Sequence, residues 1–439
     1  RRLTCTCHRP PNTEHRPRGS RSESLQEGQL HVTQLRIAIV GCGSFAQSFI
    51  RLFQLHPYVD DIVLSDLDAD KLADNADRWD VSTTIRSLDD ICTDSSIDAV
   101  ALFTQNWMHA PQAVQALNAG KHVYSAVPTG IDVDEIRALV DTVQRTGLVY
   151  MLGETSYYYP GVIYCRRRFR AGDFGRVIYG EAEYIHDFDH GLYDVYRWRG
   201  GDAWRSVAGA PPMHYPTHST SEILSVSGAH MTHVSCQGFV DDHEDGLFEA
   251  GVNRWDNSFS NQTGLFRLSD GGSCRINEFR RVGHPGAVRF SLYGTQASYE
   301  QHVAGASWLT RDRQATEDLT DALACTGVPV AATEADGMGR VTASDGTHEG
   351  MSAQHAVHRL PLSYADLKSG HAGSHAFLVD DFIRCVADNR LPPNHAWAAA
   401  RYTIPGLIAH ESSCSEGQLL QIPDLGDAPS DPVEFEARP

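Results

Sequence analysis

Residues 36–46, Arg-Ile-Ala-Ile-Val-Gly-Cys-Gly-Ser-Phe-Ala, constrain the fold more than any other stretch of this chain. Ile37, Ala38, Ile39 and Val40 form an apolar run that is mostly β-branched. Such a run suits a strand buried on both faces of a parallel sheet. Gly41-x-Gly43-x-x-Ala46 follows. Gly41 permits the tight turn out of the strand, Gly43 lets a pyrophosphate approach the backbone, and Ala46 is small enough for the next helix to pack on the strand. The first N–H groups of that helix face the phosphates. Gly41, Gly43, Ser44, Phe45 and Ala46 are therefore expected cofactor contacts.

A second apolar run, Ile62-Val63-Leu64-Ser65, ends in Asp66, 23 residues after Gly43. A carboxylate at the tip of a second strand accepts hydrogen bonds from an adenosine ribose. No Arg or Lys follows until Lys71, so nothing is placed to neutralise a 2′-phosphate. NAD is expected rather than NADP. The competing possibility is a doubly wound domain whose glycines serve only the turn.

The chain has 439 residues, 41% of them hydrophobic, enough for two ordinary domains with cores of their own. Its net charge of −19 argues against non-specific binding to nucleic acid or anionic membrane. No apolar run approaches the roughly 20 residues that a membrane helix needs. The ten cysteines include no C-x-x-C pair and read as reduced thiols in a cytoplasmic protein. Residues 1–33 hold six arginines, three prolines and few aliphatic side chains. No apolar stretch follows Arg1-Arg2, so a disordered tail is expected there rather than a secretory signal. A second tail is expected over 425–439.

From 34 to 153 the pattern alternates strand and helix, as in a doubly wound sheet. Helices are expected near 44–55, 69–79, 87–92, 110–119 and 132–146. Asp98–Phe103 reads as a fourth strand, ending in Thr104-Gln-Asn106-Trp107-Met-His109. Polar residues at the carboxyl end of such a strand face the cofactor crevice, which makes Thr104, Asn106 and His109 candidates. His122–Val127 with Pro128 reads as a fifth strand and turn, and 148–152 as one more strand, leading to Gly153-Glu154-Thr155.

These words and their spacing resemble the Gfo/Idh/MocA oxidoreductases, a family that includes glucose–fructose oxidoreductase and inositol dehydrogenase. Residues 98–128 are similar to the family's strand, Asn-x-x-His turn, helix and "AGKHV" strand. The resemblance runs from about 36 to 424. It implies an N-terminal Rossmann domain (34–153) and a C-terminal α+β domain (154–424) with a large, mostly antiparallel open sheet. It also implies C-terminal helices that pack back on the Rossmann domain. Relatives often pair through the open sheet, so a homo-oligomer, dimer or tetramer, is implied as well. The family usually reads Glu-Lys-Pro after the fifth strand, and its Lys contacts both cofactor and reacting hydroxyl. Here Ala126-Val127-Pro128 stands in that place; the resemblance still implies Val127 and Pro128 as cofactor contacts, but Val127 can neither give nor take a proton.

The second half offers replacements. Pro211-Pro212-Met213-His214-Tyr215-Pro216-Thr217-His218 resembles the family's Asp-x-x-x-His motif, which opens a helix ending in Gly, here Gly228. By that register His218 matches the catalytic His, and His214 stands where the Asp usually is. Imidazole titrates near neutrality and can take a hydroxyl proton as hydride leaves the same carbon. The two histidines could also ligate a metal, but no third ligand stands at a recognisable spacing, so no metal site is expected. Glu154, followed by Tyr157-Tyr158-Tyr159, is the next candidate. Its carboxylate could bind sugar hydroxyls, and the tyrosines could stack on a sugar ring. Tyr184, His186 and Asp187 end the strand expected over 177–186. Glu278, Arg280 and Arg281 sit between later strands, within reach of a ligand or solvated. From 301 to 360 the pattern fades into an expected insertion.

The main expectation is an NAD-dependent oxidoreductase acting on a sugar, cyclitol or related polyhydroxy compound. His218 takes the hydroxyl proton, positioned by His214 or Glu154. One alternative is a redox-neutral glycosidase that oxidises, eliminates, hydrates and reduces. The other is a non-catalytic NAD-binding regulator.

Overall fold

Leu35–Val40 is strand β1, and it pairs in parallel with β2 (Val59–Ser65) on one side and β3 (Ala99–Leu102) on the other. In this computed structural model the described residues are 34–312, 315–325, 350–365, 367 and 369–435. The tail expected over 1–33 and the central part of the insertion expected over 301–360 lie outside them. Strands β4 (His122–Ser125) and β5 (Tyr150–Leu152) complete a five-stranded parallel sheet of order β2-β1-β3-β4-β5. Helices α1 (Ser44–Leu55), α2 (Ala69–Trp79), α3 (Leu88–Thr93), α4 (His109–Asn118) and α5 (Val133–Thr146) alternate with the strands. Asp98–Phe103 therefore holds the third strand, not the fourth, and His122–Val127 the fourth, not the fifth. Between β2 and α3 the chain makes only an isolated bridge, Leu64 to Thr84, instead of a strand.

Helix starts follow local chemistry. Asp68 caps α2 by accepting from the backbone of Asp70 and Lys71, and Asp132 caps α5 in the same way. Gly147 ends α5 at φ +66°.

The chain then leaves this sheet through α6 (Pro160–Arg170) and enters a second one at β6 (Val177–Ile185). An excursion carries α7 (Leu192–Gly200) and α8 (Arg205–Ala208) before α9 (Thr217–Ser227). Strands β7 (Met231–Val240), β8 (Phe259–Leu268), β9 (Ser273–Phe279), β10 (Ala287–Gly294), β11 (Ala297–His302), β12 (Gly305–Thr310) and β13 (Glu317–Asp318) follow. After α10 (Thr320–Leu323) come α11 (Ser374–Asp388), α12 (Ala396–Cys414) and β14 (Leu420–Gln421). The second sheet has nine strands in the order β13-β12-β11-β10-β6-β9-β8-β7-β14, antiparallel except where β6 lies beside β9.

One face of this sheet is covered by α9 and α12 through residues such as Gly180, Ala182, Gly264 and Ile276. The opposite face carries Glu181 paired to Arg275 and Glu183 paired to Arg289, with Leu265 and Phe239 largely exposed. The C-terminal helices return to the first sheet. Phe377 and Phe382 of α11 share a core with Phe49 and Phe53 of α1, and Thr403 of α12 donates to Thr129 at 2.9 Å. The end of β6 is thus brought close to the carboxyl ends of β1 and β3, where open α/β sheets bind their ligands.

Candidate active site

The turn after β1 has the geometry that its glycines imply. Gly41 lies at φ +89°, and a Cβ there would sit 2.7 Å from the carbonyl oxygen of Phe103. Gly43 is the N-cap of α1 and offers no side-chain cap, so the first N–H groups of the helix are available to phosphate oxygens. The Asp66 carboxylate accepts from the Cys42 N–H at 2.9 Å and from the Asp68 N–H at 3.0 Å. These features fit a dinucleotide whose ribose approaches Asp66.

A cavity of about 250 Å³ starts at this turn and is lined by Gly43, Ser44, Phe45, Thr104, Asn106 and Val127, and on the far side by Tyr184, His214, Tyr215 and His218. His109 also borders it, but the imidazole is buried, with Nδ1 2.7 Å from the Pro128 oxygen and Nε2 3.1 Å from the Thr104 oxygen. Both ring nitrogens are spent on the protein, so His109 shapes the crevice rather than offering a nitrogen to a cofactor.

His218 lies in the first turn of α9, and Glu154 lies just after β5. They meet in the interior, with Nδ1 of His218 2.6 Å from Oε1 of Glu154. Glu154 has no solvent exposure, and the same oxygen accepts from the backbone N–H and the hydroxyl of Ser156, each at 2.9 Å. Burial opposes a charge on either partner. The opposite charge and the shared hydrogen bond outweigh it, holding the Glu154 carboxyl below its ordinary range and lifting the His218 imidazole above its own. With Nδ1 held, Nε2 is the nitrogen left for the cavity. The rings of Tyr184 and Tyr215 flank the imidazole edge-on, their centroids 5.2 and 5.4 Å away.

His214 does not join this pair. It sits before the helix, packed edge-on against His410 with centroids 5.0 Å apart. Burial, with His410 adding to it, pushes its pKa down to about 3, so it stays a neutral imidazole. Of the two positioning groups expected for His218, Glu154 makes the contact and His214 does not. The two histidines hold different partners and do not form a shared ligand set.

Glu154 is too deep to bind sugar hydroxyls directly. Of the three tyrosines after it, only Tyr159 lines the cavity; Tyr158 stacks on Phe377 and donates to Asp381. Below His218, Ser219 donates to Glu278 at 2.6 Å and Arg280 pairs with the same carboxylate at 3.1 Å. Burial pushes Glu278 up to about 7 against the pull of Arg280. Arg280 reaches the cavity beneath the Tyr184 ring, whereas Arg281 turns away to Asp245 and Tyr193. Asp187 also turns away, accepting from the backbone of Asp189 and Val282.

Several lining residues escaped sequence reasoning. Trp198 and Arg199 of α7 cross from the second half to the nucleotide turn. The Trp198 indole comes within 2.7 Å of a Cβ built on Gly43, and Gln105 donates to the Arg199 carbonyl at 3.3 Å. Trp107 and Trp255 line the same cavity. The available signal was an aromatic- and arginine-rich helix bracketed by Gly191 and Gly200-Gly201.

Residues 35–154 match the Gfo/Idh/MocA oxidoreductase family, NAD-binding Rossmann fold. The nucleotide domain is therefore of the Gfo/Idh/MocA oxidoreductase type. Two similar proteins are named glycosyl hydrolase family 109 protein. The one from Streptomyces filamentosus is 23% identical over 424 residues, covering 89% of this chain and 77% of that protein. The one from Streptomyces niveus is 24% identical over 413 residues, with the same coverage of each, 89% and 77%. Among solved structures, a levoglucosan dehydrogenase in complex with NADH and levoglucosan superposes with a TM-score of 0.67 at 16% identity, covering 89% of this chain and 100% of that one. The scyllo-inositol dehydrogenase from Lactobacillus casei with bound NAD(H) and scyllo-inositol has a TM-score of 0.62 at 16% identity, covering 88% and 99%. At that identity the structures establish the fold. The nucleotide turn lies within the residues that match the family. Val127, at the position where the resemblance implies a lysine, has a buried side chain that forms part of the cavity wall.

Proposed function

We propose that this protein carries out NAD-dependent hydride transfer at a carbinol carbon of a sugar, cyclitol or related polyhydroxy compound. The observation that carries this reading is the Glu154–His218 pair, buried and hydrogen-bonded in the same cavity as the dinucleotide turn. NAD, when bound, supplies the hydride acceptor. Gly41, Gly43, Ser44, Phe45, Ala46, Asp66, Thr104 and Asn106 hold it. His218 takes the hydroxyl proton on Nε2 as the C–H bond breaks. Glu154 is a positioning residue: it fixes the ring through Nδ1 and stabilises the imidazolium. This arrangement gives the base that Val127 lacks. The work divides between residues 34–153, which hold the cofactor, and 154–424, which hold the substrate. The open face of the nine-stranded sheet is the surface through which copies of the chain pair. A cytoplasmic location is supported by the described cysteines, none of which forms a disulfide.

A second reading is favoured by the likeness to the family 109 glycosyl hydrolases over 77% of their length, and Val127 in place of a lysine is compatible with it. The site would oxidise a glycoside, and the resulting ketone acidifies the neighbouring C–H. Loss of that proton expels the aglycone, water adds to the double bond, and the hydride returns to the ketone carbon. The net reaction is hydrolysis. An absorbance experiment separates the two. NADH accumulating in proportion to one sugar or cyclitol establishes a dehydrogenase. Cleavage of an aryl glycoside that requires NAD, with no net NADH, establishes the glycosidase. NAD binding without either activity would overturn both readings and leave a sensor.

A further inference from the structure

The loop between β7 and β8, residues 241–258, is long for a connection between antiparallel neighbours, yet its shape is fully determined. Its ends are joined by the Asp241 N–H to the Ser258 carbonyl at 2.9 Å. Leu247 and Phe248 anchor it in a small core with Phe188, Leu192 and Ala208. Two asparagines, 5% and 3% exposed, satisfy its backbone. Asn253 donates to the carbonyls of Leu247 and Asn257, and Asn257 donates to those of Gly209 and Phe259, all at 2.8–3.1 Å. Gly209 is bare where Asn253 lies against it: a Cβ there would meet the Asn253 amide at 2.6 Å.

Between these asparagines the loop presents Arg254 and Trp255. The Trp255 ring meets Trp107, from the turn after β3, edge-on with centroids 6.2 Å apart. The Arg254 guanidinium lies 4.4 Å from the Trp107 centroid and 5.4 Å from that of Trp255. It is exposed and has no carboxylate partner among the described residues. Both tryptophans are half-buried and line the cavity that holds His218. The rings that meet the His218 imidazole are those of Tyr184 and Tyr215, whereas the two indoles meet each other.

We propose that Trp107, Trp255 and Arg254 form a second-ring subsite, and that the substrate is a glycoside of at least two rings rather than a free monosaccharide. The hydrogen-bearing face of a pyranose is apolar and fits an indole, while its hydroxyl rim takes donors from a guanidinium. The preorganised loop keeps the ordering cost of that contact low. This inference rests on the sugar reading above.

The test uses full-length, NAD-loaded protein and matched ligands: galactose with lactose, and glucose with cellobiose and maltose. Binding is measured by calorimetry and saturation-transfer NMR for wild type, Trp255→Ala and Trp255→Phe, with melting curves to confirm folding. The expected result is at least a tenfold preference of wild type for one disaccharide over its monosaccharide. Trp255→Ala erases that ratio and Trp255→Phe keeps most of it. A ratio unchanged in Trp255→Ala, or a monosaccharide that binds and turns over with no disaccharide advantage, overturns the subsite and leaves the sugar reading intact. A parallel loss of NAD affinity in Trp255→Ala assigns the platform to the cofactor and also overturns it. Failure of every sugar to bind wild type removes the sugar reading and the subsite together.

Discussion

Nε2 of His218 is useful as a proton acceptor only while Glu154 keeps the other nitrogen occupied. In the neutral ring Glu154 fixes the tautomer, and in the charged ring it becomes an ion-pair partner. The direction of each shift sets the pH behaviour. His218 must be neutral to accept a proton, and its folded pKa lies above 6.5, so kcat/KM should rise with pH along a limb centred above 6.5. In Glu154→Gln the main charge opposing burial is gone and only the weaker pull of Glu278 remains, so that limb should move to lower pH while kcat falls. His218→Asn should lower kcat by about 10²–10⁴-fold with little change in NAD affinity. Steady-state pH profiles and fluorescence titration with NAD check these outcomes; a limb that does not move in Glu154→Gln would reject the pairing as functional. Stability carries the same signature. The raised pKa of His218 stabilises the fold fully below 6.5, and that contribution fades as pH rises through the folded value. The lowered pKa of Glu154 stabilises above 4.5 and fades as pH falls through its folded value. The contribution of the pair is therefore largest between about 4.5 and 6.5.

The strand–turn–helix element from β1 to α1 uses its two glycines for different reasons, and substitution separates them. Gly41→Ala places a Cβ 2.7 Å from a backbone oxygen at φ +89°, where nothing can yield cheaply. It should cost about 1–3 kcal/mol, seen as a lower Tm without cofactor. Gly43→Ala meets only the outer edge of the Trp198 indole, a side chain 42% exposed and able to move. Its Tm should change little, while NAD affinity should fall at least tenfold because the methyl fills the approach of the backbone to the pyrophosphate. Calorimetry with and without NAD reads both quantities. Equal behaviour of the two variants would mean that Gly43 serves only the packing of Trp198.

At the scale of the whole molecule, the two sheets are held together by α11 and α12, and the site exists because of that return. The opposite face of the nine-stranded sheet carries Leu265, 60% exposed, and Phe239, 57% exposed, among Glu–Arg pairs. An apolar patch ringed by charge is the composition of a face that pairs. Light scattering should give at least a dimer, and Leu265→Glu with Phe239→Glu should shift it to monomer without loss of the fold. A wild-type monomer at micromolar concentration would remove this face as an interface.

The nucleotide half was legible because its signals are local. Strand composition, glycine spacing and the carboxylate at Asp66 each act within a few residues, and backbone sterics and helix-end electrostatics turn them into geometry. His218 was legible for a similar reason, through a short motif closed by Gly228 at φ +71°. Which of its two candidate partners pairs with His218 was not. Glu154 is 64 positions away, and His214, only four away, was the closer candidate. Pro216 and the turn before α9 point His214 toward His410 instead, and burial decides which groups stay charged. The cavity wall was hidden for the same reason. Trp107, Trp198 and Trp255 come from three segments with no shared periodicity, and they meet only when the helices fold one sheet against the other. Local sequence sets what each segment becomes; long-range packing sets which side chains share a dry space, and so which chemistry is available.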